Sequence, residues 1–454
     1  MLPWASTIAP LTACTIPGRS SQTRVTIQWV GVKVTMPAYR GPVGGPYGSL
    51  GSEIVTTATQ QQRFPLFPLL VLAGAIFASV SSEFLPTGLL PDIAAELKVS
   101  ESQVGLLVTV FALTVVVSAA PLAALTHRFS RKPLMVAMLV VLAIATVLAA
   151  ISPNYAFLAG ARVLGGLAHG LFWSVTGPYA ARIVPRHQLS RAIAVTAAGG
   201  SAAFVLGVPL GTALGHAFGW RVGFLVLAGV ILVFLALTVV ALPPVSHKVP
   251  LATGEIPLPL RHDNTVPAVV IVSVSIILFN LGQNSFYTYI VPWSIQVPGI
   301  PPGGVSALLF GYGAAGAVGL LLAGLFGDRF PRGSMMAMAL ALLGAIAVLG
   351  AGGDTMPLPV VIATMMIWGV AFGGILPLLQ TRMMHSASLR VRDVAASWTT
   401  ISFNFSIGAG AFIGGVLLDR FGIAVLPWAQ FAVMLAGVVF VIVTDRRRIA
   451  LNPG

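Results

Sequence analysis

Charged residues are scarce in this chain of 454 residues: Lys and Arg number 25, Asp and Glu number 12, and together they make up 8% of the sequence. Soluble domains carry about 25% charged residues, so a soluble globular protein of this composition is excluded. Cysteine is limited to Cys14, which excludes a disulfide scaffold. Apolar residues are in excess, at 57%, with 49 glycines. This composition is typical of a protein that crosses a membrane many times.

Enzyme motifs are absent as well. The sequence has no HExxH zinc motif, no GxSxG nucleophile elbow, no Walker A loop and no GxGxxG followed by an acidic residue. The missing Walker A loop argues against an ATP-driven pump, and no ring of like charges or filter-type loop indicates a channel. We therefore expect neither an enzyme nor a metal or cofactor site.

Twelve apolar stretches follow one another along the chain, each close to the length of about 20 residues that spans a bilayer. The first six cover residues 66–90, 103–125, 134–151, 155–181, 190–214 and 221–242. The second six cover residues 268–291, 304–326, 334–352, 358–381, 394–417 and 424–444. This pattern predicts an all-α polytopic membrane protein with twelve transmembrane helices in two six-helix bundles.

The stretches also predict how the chain is divided. The two six-helix bundles take residues 64–242 and 268–446, joined by a polar, Pro-rich central loop at 243–267 and followed by a tail at 447–454. Residues 1–63 are rich in Gly, Pro, Ser and Thr and fit no span, so we expect them to form a disordered extension.

Basic residues predict the orientation, because Lys and Arg concentrate in cytoplasmic loops. Alternate connections carry only Lys98, Arg221 and Arg420. The other connections, together with both ends of the membrane region and the central loop, carry Arg63, Arg128, Arg131, Lys132, Arg182, Arg186, Arg191, Lys248, Arg261, Arg329, Arg332, Arg382, Arg390, Arg392, Arg446, Arg447 and Arg448. We therefore expect a bacterial plasma membrane protein with both termini in the cytoplasm. The net charge of +13 is a topology signal and needs no nucleic-acid partner.

Glu83 is the one acidic residue of the twelve that lies well inside a predicted span. An ionisable group is costly in a membrane, so it indicates a functional site. Desolvation disfavours the charged form of a carboxyl group, which would let Glu83 exchange a proton near neutral pH. We predict a proton-coupling role; the alternative is a neutral Glu that only packs between helices.

Arg162 is the basic counterpart, the one Lys or Arg well inside a span. His169 and Trp173 follow seven and eleven positions later, within about 20° of the same helical face. We predict that Arg162 responds to the protonation state of Glu83 and that His169 and Trp173 contact substrate. The alternatives are an Arg that only hydrogen-bonds nearby carbonyl groups and a buried neutral His bonded to a carbonyl.

Polar side chains mark one face of the seventh span, where Asn280, Gln283, Asn284 and Tyr287 have the spacing i, i+3, i+4, i+7. Amides facing lipid would be unsatisfied, so this face is expected to point inward. Uncharged donors and acceptors beside aromatics suit a neutral polyol or a polar drug as substrate. Hydrogen bonding between helices alone is an equally good explanation.

Two further sets of residues carry weaker signals. Trp398 and Ser402 share a face of the eleventh span and are candidate substrate contacts, although aromatics in spans more often pack than bind. Gly207, Pro209 and Gly211 in the fifth span indicate close helix packing and a bend.

Two loops on the basic side repeat. Residues 126–132, after the second span, read THRFSRK, and residues 327–333, after the eighth, read GDRFPRG. Both pair an Arg-Phe with a further Arg two residues on. Two related six-helix bundles around a midplane site are an established transporter architecture. The repeat singles out Arg128, Arg131, Lys132, Asp328, Arg329 and Arg332.

On these residues the chain resembles the major facilitator superfamily, in its drug:proton antiporter group, and is similar to bacterial sugar-efflux and chloramphenicol-resistance transporters. The resemblance covers residues 64–446. It rests on EFLPTGLLP at 83–91, AALTHRFSRKP at 123–133 (motif A), RVLGGLAHGLFWS at 162–174 (motif B) and LGVPLGT at 206–212 (motif C). Motif A departs from the family pattern at His127, where the family has Asp, and at Ser130, where it has Gly.

The resemblance implies a secondary transporter that exports a small molecule, such as a sugar or a phenicol-type drug, in exchange for protons by alternating access. It implies that the repeated loops latch the cytoplasmic gate, with Asp328 keeping the acidic position that His127 has lost. It also implies that packing at Gly207 and Gly211 closes the cavity against proton leak.

Two alternatives remain open at this point. One is a uniporter or symporter of a sugar or nucleoside, and the other is a membrane receptor that transports nothing. The expected partners are a small-molecule substrate, protons and the lipid bilayer, with the proton gradient in place of any cofactor. We expect the protein to act as a monomer.

Overall fold

The computed structural model describes residues 24–29, 32–37, 64–126, 128–185, 188–244, 263–388 and 391–451. The chain divides into two compact units, Met1–Gln62 and Arg63–Gly454. In the first unit, strands β1 (Arg24–Trp29) and β2 (Val32–Pro37) form an antiparallel hairpin. The rest of the extension expected to be disordered, most of the central loop and His127 lie outside the described residues.

Helices build the second unit wherever it is described. The first half contains α1 (Leu66–Gly88), α2 (Leu90–Leu97), α3 (Glu101–Thr126), α4 (Arg131–Ala150), α5 (Tyr155–Arg182), α6 (Leu189–Ala202), α7 (Val208–Phe218) and α8 (Trp220–Ala241). A π-helical turn, Ala203–Gly207, joins α6 to α7. The second half contains α9 (Val266–Tyr287), α10 (Ile290–Gln296), α11 (Pro302–Phe326), α12 (Pro331–Gly352), α13 (Leu358–Ser386), α14 (Arg392–Phe421) and α15 (Leu426–Leu451).

Twelve helices of the described residues are long and apolar enough to cross a membrane, which confirms the prediction from hydropathy. The predicted bounds agree with the structure to within a few residues, apart from the last helix, which runs on to Leu451. The fifth crossing is composite, since α6, the π-helical turn and α7 together form the crossing Arg191–Phe218. An even number of crossings places the start of α1 and the end of α15 on one side, here called the terminal side; the opposite is the far side.

The first crossing of each half breaks near the far side. In the first half α1 ends at Gly88 and α2 begins at Leu90, with Pro86 and Pro91 flanking the break. In the second half α9 ends at Tyr287 and α10 continues from Ile290. Proline cannot donate the helical hydrogen bond and bends or ends helices, which explains the first break.

Small residues allow the helices to approach closely. A Cβ added at Gly319 in α11 would lie 1.9 Å from the carbonyl oxygen of Val370 in α13, and one at Gly373 would lie 2.2 Å from the carbonyl oxygen of Gly316. Association in a membrane depends on such packing, because lipid tails are as apolar as the side chains themselves. The 49 glycines of the sequence are thereby explained in part by backbone contact between helices.

The two halves meet in their far portions. Ser102 in α3 donates a hydrogen bond of 2.7 Å to Asp419 in α14, and the Thr109 hydroxyl donates one of 2.9 Å to the carbonyl oxygen of Gly408. Gln296 in α10 donates to the Glu101 carboxylate at 3.1 Å. These bonds hold α3 of the first half against α14 and α10 of the second half toward the far side.

Candidate functional site

Glu83 lies in α1 and is 4% exposed. The close approach of the composite fifth crossing encloses this part of α1, since a Cβ at Gly207 would lie 1.9 Å from the Ser81 hydroxyl. The Oε2 atom of Glu83 is 3.5 Å from Nε2 of His169, and its Oε1 has no hydrogen-bond partner among the described residues. A carboxyl group in this setting is enclosed by protein but free to change its partner.

Arg162 is buried in α5, but its hydrogen bonds go to the backbone of α1. Its two terminal nitrogens donate to the carbonyl oxygens of Ser82 and Glu83 at 2.6 and 2.7 Å. Its guanidinium group also lies 4.2 Å from the centre of the Phe111 ring, a cation–π contact from α3. The guanidinium charge is therefore fixed beside Glu83 by groups that do not titrate.

His169 has a defined set of hydrogen-bond partners. The indole N–H of Trp173 can only donate, so Nε2 of His169 accepts at 2.8 Å. Nδ1 of the neutral ring must then carry the proton and donate to the Ser79 hydroxyl at 2.9 Å. The ring therefore ties α5 to α1, and its one lone pair is occupied by Trp173.

Two groups can donate a hydrogen bond to that lone pair, the indole N–H of Trp173 and a protonated Glu83. A protonated Glu83 would present an O–H close to Nε2 of His169, where the Trp173 N–H already donates. An ionised Glu83 is instead an acceptor, which has no use for a lone pair. The protonation state of Glu83 thus bears directly on the bond between His169 and Trp173, and Trp173 is only partly buried.

In the second half, Gln283 is the centre of a buried hydrogen-bond network. It donates to the Tyr312 hydroxyl at 2.7 Å and accepts from the Trp368 indole at 2.8 Å and the Gln430 amide at 3.1 Å. These partners come from α11, α13 and α15. Gln283 therefore holds three other helices against α9, which is the helix–helix role that the sequence left open.

The other amides of the seventh crossing turn toward α14. Asn280 donates to the carbonyl oxygen of Phe403 at 3.2 Å, and Asn284 donates to the carbonyl oxygen of Asn280 at 2.8 Å. Ser402 is buried in α14, and its carbonyl oxygen accepts from the Ser406 hydroxyl. The face predicted from spacing is buried as expected, but it divides between two sets of neighbouring helices.

The aromatic candidates occupy different places. The Tyr287 ring is buried, 5.3 Å from the Tyr312 ring and 6.3 Å from that of Trp368. Trp173 and Trp398, nearer the terminal side, are partly buried against the core. Among the predicted substrate contacts these two are the side chains that are not fully buried.

The repeated loops lie on the terminal side. Lys132 donates to the carbonyl oxygen of Val239 at 2.7 Å, which ties α4 to α8, and Arg131 is near Arg182. Arg128 and Arg329 are exposed.

Within the described residues the exposed Asp328 forms no ion pair, so its predicted latch is not made in this conformation. Asp328 and Arg332 instead line a cavity of about 1040 Å³ in the second half, beside an ion pair between Arg382 and Asp445.

The motif C residues pack within the first half. A Cβ at Gly207 would meet Ser81, and one at Gly211 would lie 2.5 Å from Leu85, so both glycines face α1. Pro209 begins α7 directly after the π-helical turn, where its missing N–H is tolerated. Contact between the two halves is made by the preceding residues, Phe204 and Val205, against Gly313 of α11.

Several site residues were not singled out from the sequence. Ser79 and Phe111 have no distinguishing signal, because a serine and a phenylalanine are ordinary in a membrane helix. Tyr312 and Gln430 could have been found, since both are polar and lie inside predicted spans. Gln430 is an amide in a span, the same criterion that identified Asn280.

Comparison with known proteins places the chain in a family. The model of the Major Facilitator Superfamily matches residues 72–399 and 272–454. A "Probable sugar efflux transporter" of Mannheimia succiniciproducens is 30% identical over 80% of this chain and 89% of its own length. One of Helicobacter pylori is 29% identical over 82% of this chain and 93% of its own length.

Two solved structures share the fold. A bacterial homologue of the human lysosomal transporter Spinster, in an inward-facing and unoccupied conformation, has a TM-score of 0.66 with 17% identity, covering 84% of this chain and 95% of its own. The nucleoside transporter NupG also has a TM-score of 0.66, with 14% identity, covering 84% of this chain and 98% of its own.

Proposed function

Because the chain belongs to the major facilitator superfamily, and is therefore a multi-pass membrane transporter and not an enzyme, we propose that it exports a sugar in exchange for protons by alternating access. The proposal rests above all on one observation: Glu83 is buried with an unpartnered carboxyl oxygen, beside an Arg162 whose charge is fixed to the same stretch of α1. Ionisable residues inside a membrane are costly and mark substrate or ion pathways and proton relays, which supports a coupling role for this pair.

The positions of the charges and contacts support a conformation that is open toward the cytoplasm, one of the states that export passes through. Basic loops assign the terminal side to the cytoplasm, with both termini there, in a bacterial plasma membrane. The hydrogen bonds between Ser102 and Asp419 and between Thr109 and Gly408 lie toward the far side, so this conformation is closed to the exterior. Substrate would enter from the cytoplasm, as export requires.

The coupling step is local. When Glu83 takes a proton from outside, its carboxyl group becomes a donor and competes with Trp173 for Nε2 of His169. When it releases that proton to the cytoplasm, the carboxylate is attracted to Arg162 instead. The charge of Glu83 would then determine whether Trp173 stays bonded to His169. Because Trp173 is also a proposed substrate contact, substrate would bind the protonated and ionised states with different affinities.

The substrate class is proposed from chemistry and from the relatives together. The relatives named above carry sugar efflux in their names. Indole rings such as those of Trp173 and Trp398 suit the apolar faces of sugar rings, and the predicted polar contacts Asn280, Asn284 and Ser402 are uncharged. A phenicol-type drug has a similar mixture of ring and hydroxyl groups and is the second substrate to try.

Glu83→Gln tests the proposal in proteoliposomes with an imposed pH gradient and labelled sugars. Neutral Gln cannot cycle a proton, so we expect uphill accumulation to be lost while exchange of sugar at equal pH on both sides continues. Asp354→Asn makes the same change at an exposed far-side position and should behave as wild type.

Three results would overturn the proposal. Uphill accumulation that survives Glu83→Gln unchanged would remove Glu83 from the coupling step. Wild-type transport that ignores the pH gradient would show a uniporter. Sugar that accumulates on the side of lower proton concentration, in the direction of proton flow, would show a symporter.

A further inference from the structure

Phe204 joins the two halves at their centre, and the coupling step above makes no use of it. Its ring lies 4.8 Å from that of Phe84, the residue after Glu83, and 6.3 Å from that of Tyr287 in the second half. Phe204 thus contacts both the helix that carries the proposed proton site and the end of α9.

The backbone at Phe204 is unusual as well. It belongs to the π-helical turn Ala203–Gly207, and such single turns are frequent at functional sites. A Cβ at Gly313 of α11 would lie 2.4 Å from the carbonyl oxygen of Phe204. At the other end of the turn, a Cβ at Gly207 would lie 1.9 Å from Ser81 of α1. The turn is therefore in direct contact with both halves.

We propose that Phe204 is a positioning residue that transmits the charge state of Glu83 to Tyr287 and the buried network of the second half. This inference rests on the proposed function. A carboxylate at Glu83 is drawn toward Arg162, which already holds the carbonyl oxygens of Ser82 and Glu83, so that α1 shifts locally and Phe84 with it. Phe204 packs on Phe84 and follows.

The second half receives the shift through aromatic contacts. Tyr287 packs on Tyr312 and on Trp368, at ring distances of 5.3 and 6.3 Å. Both of these rings are hydrogen-bonded to Gln283, which also holds Gln430. A π-helical turn can rearrange toward α-helical pairing, which supplies the element with two arrangements that any transmitted change requires.

Substituting Phe204 tests this role against simple packing. Phe204→Leu keeps an apolar side chain but removes the ring contacts, whereas Phe204→Tyr keeps the ring. We expect Phe204→Leu to exchange sugar at equal pH within about twofold of wild type while its uphill accumulation ratio falls about tenfold, a usual size for a coupling between sites. Phe204→Tyr should restore accumulation, and Phe218→Leu, exposed at the end of α7, should match wild type.

The outcomes separate the two proposals. If Phe204→Leu lowers exchange and accumulation in the same proportion, or lowers neither, Phe204 only packs and the inference is wrong. If Glu83→Gln leaves accumulation intact, the proposed function itself fails, whatever Phe204 does. If Phe204→Leu does not fold, the same comparison is made with Phe84→Leu, which breaks the ring contact from the side of α1.

Discussion

The two halves share an architecture but bury different chemistry. In the first half the buried polar residues include three ionisable groups, Glu83, Arg162 and His169, among serines and threonines. In the second half the corresponding core is built from uncharged groups around Gln283 and Trp368, joined by direct hydrogen bonds. The first half leaves a carboxyl oxygen and Nε of Arg162 without partners among the described residues, whereas both polar atoms of the Gln283 amide are paired.

This difference indicates a division of labour. Buried groups whose hydrogen bonds are incomplete can change partners when a proton binds. Ionisable groups inside a membrane are costly, so they indicate a functional site. The paired amide of Gln283 resists change, because each broken bond leaves a buried polar group unpaired, although Oε1 of its neighbour Gln430 has no partner among the described residues. We therefore expect the first half to respond to protons and the second half to move as one rigid frame when Tyr287 is displaced.

The largest effect should come from Arg162→Lys. A lysine keeps the charge and has three N–H donors, but its single nitrogen cannot occupy both positions from which the two nitrogens of Arg162 donate, so we expect one of the bonds to the carbonyl oxygens of Ser82 and Glu83 to be lost. Leaving a buried acceptor unpaired costs about 1–3 kcal/mol. We expect uphill transport to be lost and the melting temperature in detergent to fall.

The exposed Arg420→Lys is the matched control for that variant and should change neither quantity. If Arg162→Lys transports as well as wild type, then positive charge alone is sufficient in the first half. The geometry of the guanidinium would then have no part in coupling.

The second-largest effect should come from Gln283→Leu, which tests whether the second half is a frame. Leucine cannot pair with Tyr312, Trp368 or Gln430, and each unpaired group costs about 1–3 kcal/mol. We expect a lower melting temperature and slower exchange, with the number of protons moved per sugar unchanged. Gln380→Leu, at an exposed position of α13, should be neutral.

A changed proton-to-sugar ratio in Gln283→Leu would contradict the division between the halves. The ratio is the informative readout, because loss of stability alone lowers every rate together. It is measured from proton release and sugar uptake in the same vesicles.

The helices and the buried position of Glu83 and Arg162 could be predicted from the sequence for the same physical reason. A membrane excludes charge, so the few charged residues inside spans are conspicuous, and the helices are conspicuous because they are apolar. The extent of α15 beyond residue 444 was not predictable from hydropathy, since its last turns are charged.

The partners of the buried groups were not predictable. The spacing of Asn280 and Gln283 defines a face of an isolated helix, but α9 is surrounded by helices on several sides, and the two amides pair with different ones. For Arg162 the sequence offered hydrogen bonds to carbonyl groups as an alternative, but it could not identify the acceptors as Ser82 and Glu83, because any carbonyl group is an acceptor. Such pairings depend on the tertiary structure, which spacing along one helix does not contain.

The smallest effect should come from Ser102→Ala, which tests the contact between the halves. It removes the hydrogen bond to Asp419 on the partly exposed far side, worth about 1 kcal/mol, and so should raise the population open to the exterior about fivefold.

Fluorophores attached at Ala95→Cys and Gly303→Cys, in a chain that also carries Cys14→Ser, would report that population as a change in distance. Both labelled positions are exposed. Thr355→Ala, whose hydroxyl bonds within the second half, is the control. An unchanged distance distribution in Ser102→Ala would mean that other contacts, such as that between Thr109 and Gly408, hold the far side closed. The halves would then separate as rigid bodies only when Glu83 changes its charge.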